Sequence, residues 1–218
     1  MNYLELCQAL AREMGVNAPA SVIGQSGDAA RIVNWVKEAW FEVQAADAEW
    51  DFLWKRVSFQ TSAGTQQYTP SLNDVNVWDP KYFTVFKTSE GEATETALLH
   101  MPHWEYKRED VGVVEQQRPT HVIFIPNGDL ILHPTPDATY TVQLAYWKHP
   151  VELSAASDTP VIPAFLHSMI VDKAMEYYGV YEEAPNIYQG AAMRYQQKLN
   201  RLLRRSAPMI AQGETPLA

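Results

Sequence analysis

Apolar positions in the first quarter of the chain follow helical spacing. Tyr3, Leu6, Leu10 and Met14 lie three to four residues apart and stop at Gly15, which predicts a short amphipathic helix before a loop of small residues. Ile32, Val36, Ala39 or Trp40, Val43 and Ala46 form a second stripe, with Asp28 as its expected N-cap. The period then changes. An aromatic knot of Trp50, Phe52 and Trp54 runs through Lys55 and Arg56 into alternation at Val57, Phe59 and Thr61. A turn at Ala63-Gly64 and a return over 66–69 predict a β-hairpin. Further strands are expected over 82–87, 95–99, 120–125, 129–132 and 139–147. The strongest turn signal is Pro126-Asn127-Gly128-Asp129, set between two apolar runs. Residues 102–110 open on a proline and close on charges, and predict one or two helical turns within the β region.

Periodicity becomes helical again after a proline-rich loop over 149–163. Pro163 suits a first turn, and Phe165 or Leu166, Met169 or Ile170, Ala174 and Tyr177 repeat at helical spacing up to a stop at Gly179. A last helix over 187–205 carries Tyr188, Ala192, Tyr195, Leu199 and Leu202 on one stripe. The predicted class is α+β: a helical bundle built from residues 1–54 and 159–205, an inserted antiparallel β subdomain over 55–158, and a flexible tail over 206–218.

Composition narrows the function. With 46% hydrophobic and 20% charged residues among 218, the chain can bury a core, and disorder throughout is excluded. Aromatic residues make up 11%, enough to keep self-assembly open. The formal charge of −9 argues against a general nucleic-acid binder. It is unevenly spread: residues 1–190 hold 12 Lys and Arg against 25 Asp and Glu, whereas 191–218 hold five against one. The single cysteine, Cys7, allows no intramolecular disulfide and fits a reducing compartment. The first residues lack a basic segment before an apolar core, and no run reaches the 18 to 20 apolar residues of a membrane span, so a soluble protein made in cytoplasm is expected.

A search for chemistry returns little. His100 and His103 share an H-x-x-H spacing, and His121, His133, His149 and His167 are scattered, but no acidic residue stands at a spacing that completes a metal site. Gly24 to Asp28 lacks the lysine and preceding strand of a phosphate loop and reads as a linker, and no G-x-S-x-G elbow occurs. Cys7 beside Leu6 reads as a buried inert thiol, and the pairs Glu182-Glu183 and Glu109-Asp110 as solvated faces. No catalytic residue, metal or cofactor is expected. What remains is basic and aromatic. Arg194, Lys198, Arg201, Arg204 and Arg205 lie largely off the apolar stripe of the last helix, ahead of a polar tail. Trp35, Trp40, Trp50 and Trp54 are assigned to the helical core, and Trp78 and Trp104 to loops as interface candidates.

Several segments, in this order, resemble a known family. The stretch from Ile32 to Trp54 ending in EWDFLW, the segment FQTSAGTQQYTP, the run PTHVIFIPNGDLILHPTPD and the run YWKHPVELSAASDTPVIP before a helix with Tyr177-Tyr178 are similar to the head-to-tail adaptors, or connectors, of tailed bacteriophages. The resemblance spans about residues 30–180 and extends to the tail tubular protein A type of portal adaptor. Residues 1–27 and 101–114 match no family motif. The resemblance implies a non-enzymatic virion structural protein at the head-tail junction: a dodecameric ring of identical subunits between the portal protein and the tail or nozzle proteins. Genomic DNA would pass through its lumen without sequence-specific binding, and no membrane would be involved. It further implies that Arg194, Lys198, Arg201, Arg204, Arg205, Met209 and Ile210 face the portal, and that the loop Pro126, Asn127, Gly128 and Asp129 faces the next tail component. Competing readings are a tail-completion ring, a receptor- or carbohydrate-binding virion module using Trp104 or Trp78, and a cell-wall hydrolase.

Overall fold

The computed structural model describes residues 1–47, 49–70, 72–109 and 115–206. It divides into two compact units, Met1–Phe52 with Pro150–Ala218, and Leu53–His149. The helices among the described residues are α1 (Tyr3–Met14), α2 (Gly27–Ala45), α3 (His103–Glu109), α4 (Ser168–Tyr181) and α5 (Pro185–Ser206). The strands are β1 (Trp54–Gln60), β2 (Gln67–Tyr68), β3 (Val75–Trp78), β4 (Thr84–Lys87), β5 (Thr96–Ala97), β6 (Leu99–His100), β7 (Gln116–Gln117), β8 (His121–Phe124), β9 (Leu130–His133), β10 (Thr135–Pro136) and β11 (Tyr140–Lys148).

In the helical unit, α1 begins where Asn2 and Glu5 cap each other. The Asn2 side chain accepts the Glu5 N–H at 2.8 Å and the Glu5 carboxylate accepts the Asn2 N–H at 2.9 Å. It ends at Gly15, whose φ of 71° and bonds to the Ala11 and Arg12 carbonyls close the last turn. Tyr3, Leu6, Cys7, Leu10 and Ala11 are buried, each leucine stabilising by about 2 kcal/mol. Burial pushes the Cys7 thiol up to about 12, so it stays protonated.

Helix α2 corrects the expected start. Its N-cap is Ser26, and Asp28 sits inside the first turn, where it favours the helix dipole and holds Arg31 at 2.5 Å. The apolar stripe ends one position early, at Val43, with Gln44 buried beside it and Ala46 exposed. Gln44 is buried because its amide acts as a surrogate backbone. It donates to the Val151 carbonyl at 3.1 Å and accepts the Val151 N–H at 2.8 Å, while Trp40 Nε1 donates to the same carbonyl at 2.7 Å. These bonds satisfy a segment that no regular element pairs.

Helix α4 packs against α1, α2 and α5, which explains burial of Met169, Ile170, Val171, Ala174 and Met175 around most of its circumference. The expected stop at Gly179 is overturned, since the helix continues to Tyr181. The glycine serves packing instead. A Cβ there would lie 2.7 Å from the Tyr188 backbone nitrogen, so only glycine lets α5 approach this closely. Pro185 occupies the first position of α5, and Ala191, Tyr195, Leu199 and Leu202 form its buried stripe.

The β unit is organised by its longest strand. Strand β11 pairs β1 in unbroken antiparallel register from Trp54↔Trp147 to Gln60↔Thr141, and pairs β4 and β3 on its other edge. A second sheet runs β2-β9-β8-β6. The predicted hairpin over 57–69 is therefore not formed. Its turn exists, with Gly64 at φ 77°, but β1 pairs β11 whereas β2 pairs β9. Seven ladder positions on β11 outcompete a short local pairing. The expected strand over 95–99 splits between β5 and β6, in different sheets. The pairs β6–β8 and β7–β10 are parallel, against the expectation of a wholly antiparallel subdomain. The core gathers Val85, Tyr140, Val142 and Leu144 from the first sheet with Val122, Leu130 and Leu132 from the second. Two tryptophans change role. Trp54, assigned to the helical core, opens β1 and donates to Asp79 at 3.0 Å. Trp78, assigned to an interface loop, ends β3 and stacks on Phe124 at 4.4 Å within the β core.

Candidate functional site

The five cations of the last helix separate into two groups. Arg194 and Lys198 are turned onto α4. Arg194 Nε donates to Asp172 Oδ1 at 2.7 Å, and Lys198 donates to Asp172 Oδ2 and, at 2.8 Å, to the Ser168 hydroxyl. Asp172 is only 6% exposed, and its two ion pairs join α5 to α4. Arg201, Arg204 and Arg205 are exposed and make no ion pair among the described residues. They stand in the last two turns of α5, where cations oppose the negative end of the helix dipole. Met209 and Ile210, expected beside them, lie outside the described residues.

A second polar cluster joins α4 to α2. Lys173 bridges Glu42 at 2.9 Å and Glu176 at 2.8 Å, and its ammonium lies over the Tyr195 ring at 5.2 Å. Burial works to lower the Lys173 pKa, but the two carboxylates outweigh it and hold the amine above its ordinary value. Burial, and then the hydrogen-bonded Glu42 carboxylate, push the Tyr177 phenol well above its usual range. Both clusters tie α4 to a neighbouring helix. Sequence reasoning missed them. The signal was the i, i+4 pair Asp172 and Glu176 within a largely apolar helix, since buried acids demand cations, supplied here by Lys173 of the same helix and by Arg194 and Lys198 of α5.

At the α4–α5 turn the surface is apolar and acidic. Val180 is 65% exposed, Tyr181 and Tyr188 are also exposed, and Glu182 and Glu183 project between them. Glu183 has φ 53°, the only positive φ of a non-glycine residue among those described. Nearby, Arg31 lies over the Tyr181 ring at 4.6 Å and Trp35 packs on Tyr178 and Tyr181.

In the β unit, Pro126 to Asp129 form the expected β8–β9 turn. Gly128 at φ 91° donates to the Ile125 carbonyl, and the Ile125 N–H to that of Asp129. Pro126, Asn127 and Gly128 are exposed. Asp129 is not part of that exposed surface: it is 9% exposed and accepts from Gln67 at 2.7 Å and Asn127 at 2.8 Å. Hydrogen bonds from Thr69, Gln67 and Asn127 hold its carboxyl below the usual range. Trp104 on α3 is 64% exposed beneath Arg108, which stands 5.5 Å from its ring centre.

His100 stacks on Phe124, His121 and His133 face each other across β8 and β9, and His167 is buried with Nε2 against the Ile162 carbonyl. Among the described residues no three His, Cys, Asp or Glu side chains gather as metal ligands, and no helix is long and apolar enough to cross a membrane.

No curated protein matches the chain. The family model described as SU10 adaptor protein matches residues 1–217, which takes in the segments 1–27 and 101–114 that no recognised motif had covered. The chain belongs to the SU10 adaptor protein family, a family of structural bacteriophage adaptors.

Proposed function

We propose that this protein is a head-to-tail adaptor of the virion, assembled as a dodecameric ring of identical subunits between the portal and the tail. The observation that carries this reading is the family match along essentially the whole chain. In this reading the ring continues the DNA channel, with an arrangement like that of the tail tubular protein A type. Its net charge of −9 would repel passing DNA and so keep the lumen free of adhesion.

The portal-facing end is α5 with the residues after it. Arg201, Arg204 and Arg205 supply unspent positive charge there, and Met209 and Ile210 follow. Arg194 and Lys198, bound to Asp172, act as the base of that surface. Pro126, Asn127 and Gly128 offer an exposed turn to the next tail component. Deleting residues 206–218 is expected to abolish binding to purified portal while the circular dichroism spectrum stays unchanged; retained portal binding would remove the C-terminal assignment. A second reading rests on exposed Trp104, which suits stacking on a sugar ring. Fluorescence titration with cell-surface oligosaccharides separates the two, since the adaptor reading expects no quenching.

A further inference from the structure

On the flank of the helical unit, Arg12 of α1, Ser168 and Asp172 of α4, and Arg194 and Lys198 of α5 surround an open pocket of about 320 Å³, with Glu13 on its rim. Asp172 fixes two of the three cations without exhausting them. Arg194 commits only Nε, which leaves the terminal nitrogens of its guanidinium available, and Lys198 retains one proton beyond those given to Asp172 and Ser168. Arg12 has no side-chain partner among the described residues. Three cationic side chains, together with Met1, which also lines the pocket and carries the N-terminal ammonium, face the carboxylates of Asp172 and Glu13 and leave positive charge in excess. A carboxylate offsets that excess, and two guanidinium groups offer it the paired N–H geometry it prefers.

We infer that this pocket receives a carboxylate from a second copy of the chain, supplied by Glu182 and Glu183 at the α4–α5 turn. The inference rests on the reading of the protein as a self-assembling adaptor. Both glutamates are exposed and neither side chain has a partner among the described residues. Glu183 holds a left-handed conformation that glycine would adopt with less strain, so the turn carries a projecting charge at a conformational cost. Val180, Tyr181 and Tyr188 surround it with exposed apolar surface, the composition expected at the centre of a protein contact. The donor cannot fill the pocket of its own copy: Asp172 and Glu182 stand ten positions apart along α4, about 15 Å. Donor and acceptor are therefore different patches. A contact of that kind passes from copy to copy, as closure into a ring requires.

The test is a charge exchange at two exposed positions that take no part in the core, with association of the full chain followed by sedimentation velocity. Arg12→Glu alone and Glu183→Arg alone are each expected to weaken association about tenfold or more, and the double variant to recover it to within a few-fold. Thermal unfolding unchanged in all three variants confirms that the fold is intact. Wild-type association by both single variants, no recovery in the double variant, or a wild-type chain monomeric at every concentration would overturn the inference. The adaptor reading has a separate fate, because a chain found in virions while the exchange has no effect keeps that reading and loses only this contact.

Discussion

The helical unit and the β unit are built by opposite rules. Each helix of the first is specified by its own apolar stripe, α1 also by a cap and a glycine stop, and neighbouring elements are then joined by a few polar clamps: Asp172 of α4 to Arg194 and Lys198 of α5, Lys173 of α4 to Glu42 of α2, and Gln44 of α2 to the segment at Val151. The strands of the second are mostly two to four residues long and gain definition from one long strand, β11, and from a shared core. The difference teaches where surface chemistry is available. A sheet unit that spends its side chains on a common core exposes mainly turns, whereas clamped helices leave charged and aromatic groups to meet partners.

The largest effect should come from breaking a clamp. Asp172→Ala leaves two cations facing a vacated carboxylate site and is expected to cost about 3 kcal/mol by urea unfolding. A loss under about 0.5 kcal/mol would mean that apolar packing alone holds α5. Next is the close helix approach. Gly179→Ala places a methyl against the Tyr188 backbone and should cost about 2 kcal/mol, the typical overpacking penalty. A neutral result would show that α5 shifts freely on α4. The β unit should respond less to a local change: Gly128→Ala forces φ 91° on an alanine and is expected to cost about 1 kcal/mol, with the β8–β9 pairing retained in amide exchange.

The smallest effect is a pH dependence that reads both units. Hydrogen bonds from Thr69, Gln67 and Asn127 depress Asp129 in the β unit, and backbone amides of Ser154 and Ala155 depress Asp158 in the helical unit, each below an ordinary value of 3.8. A carboxyl lowered on folding stabilises above its unfolded pKa and loses that contribution as pH falls through the folded value. Melting temperature should therefore be level near neutrality and fall below about pH 4. Asp129→Asn and Asp158→Asn should each flatten part of that fall, and identical acid profiles for variants and wild type would contradict the assignment.

The same contrast governed what was legible in the sequence. Helices α1, α2, α4 and α5 were visible because periodicity is local; the errors at Ser26 and Tyr181 were of two residues, and the start expected at Pro163 came at Ser168, after a 3-10 turn over Ala164–Leu166. The Pro126–Asp129 turn was visible because its backbone demands its residues. Pairing was not, since whether β1 joins β2 or β11 depends on competing long-range ladders that no local pattern encodes. The basic stripe was found as composition, but its division was hidden. That Arg194 and Lys198 face Asp172 while Arg201, Arg204 and Arg205 face solvent follows from the crossing of α4 and α5, which Gly179 sets.

The proposed role, a virion adaptor matched to the portal, is tested most directly by counting. Quantitative mass spectrometry of purified particles, scoring this chain against the portal protein, should return a ratio near one to one. Absence of the chain from particles would contradict the account.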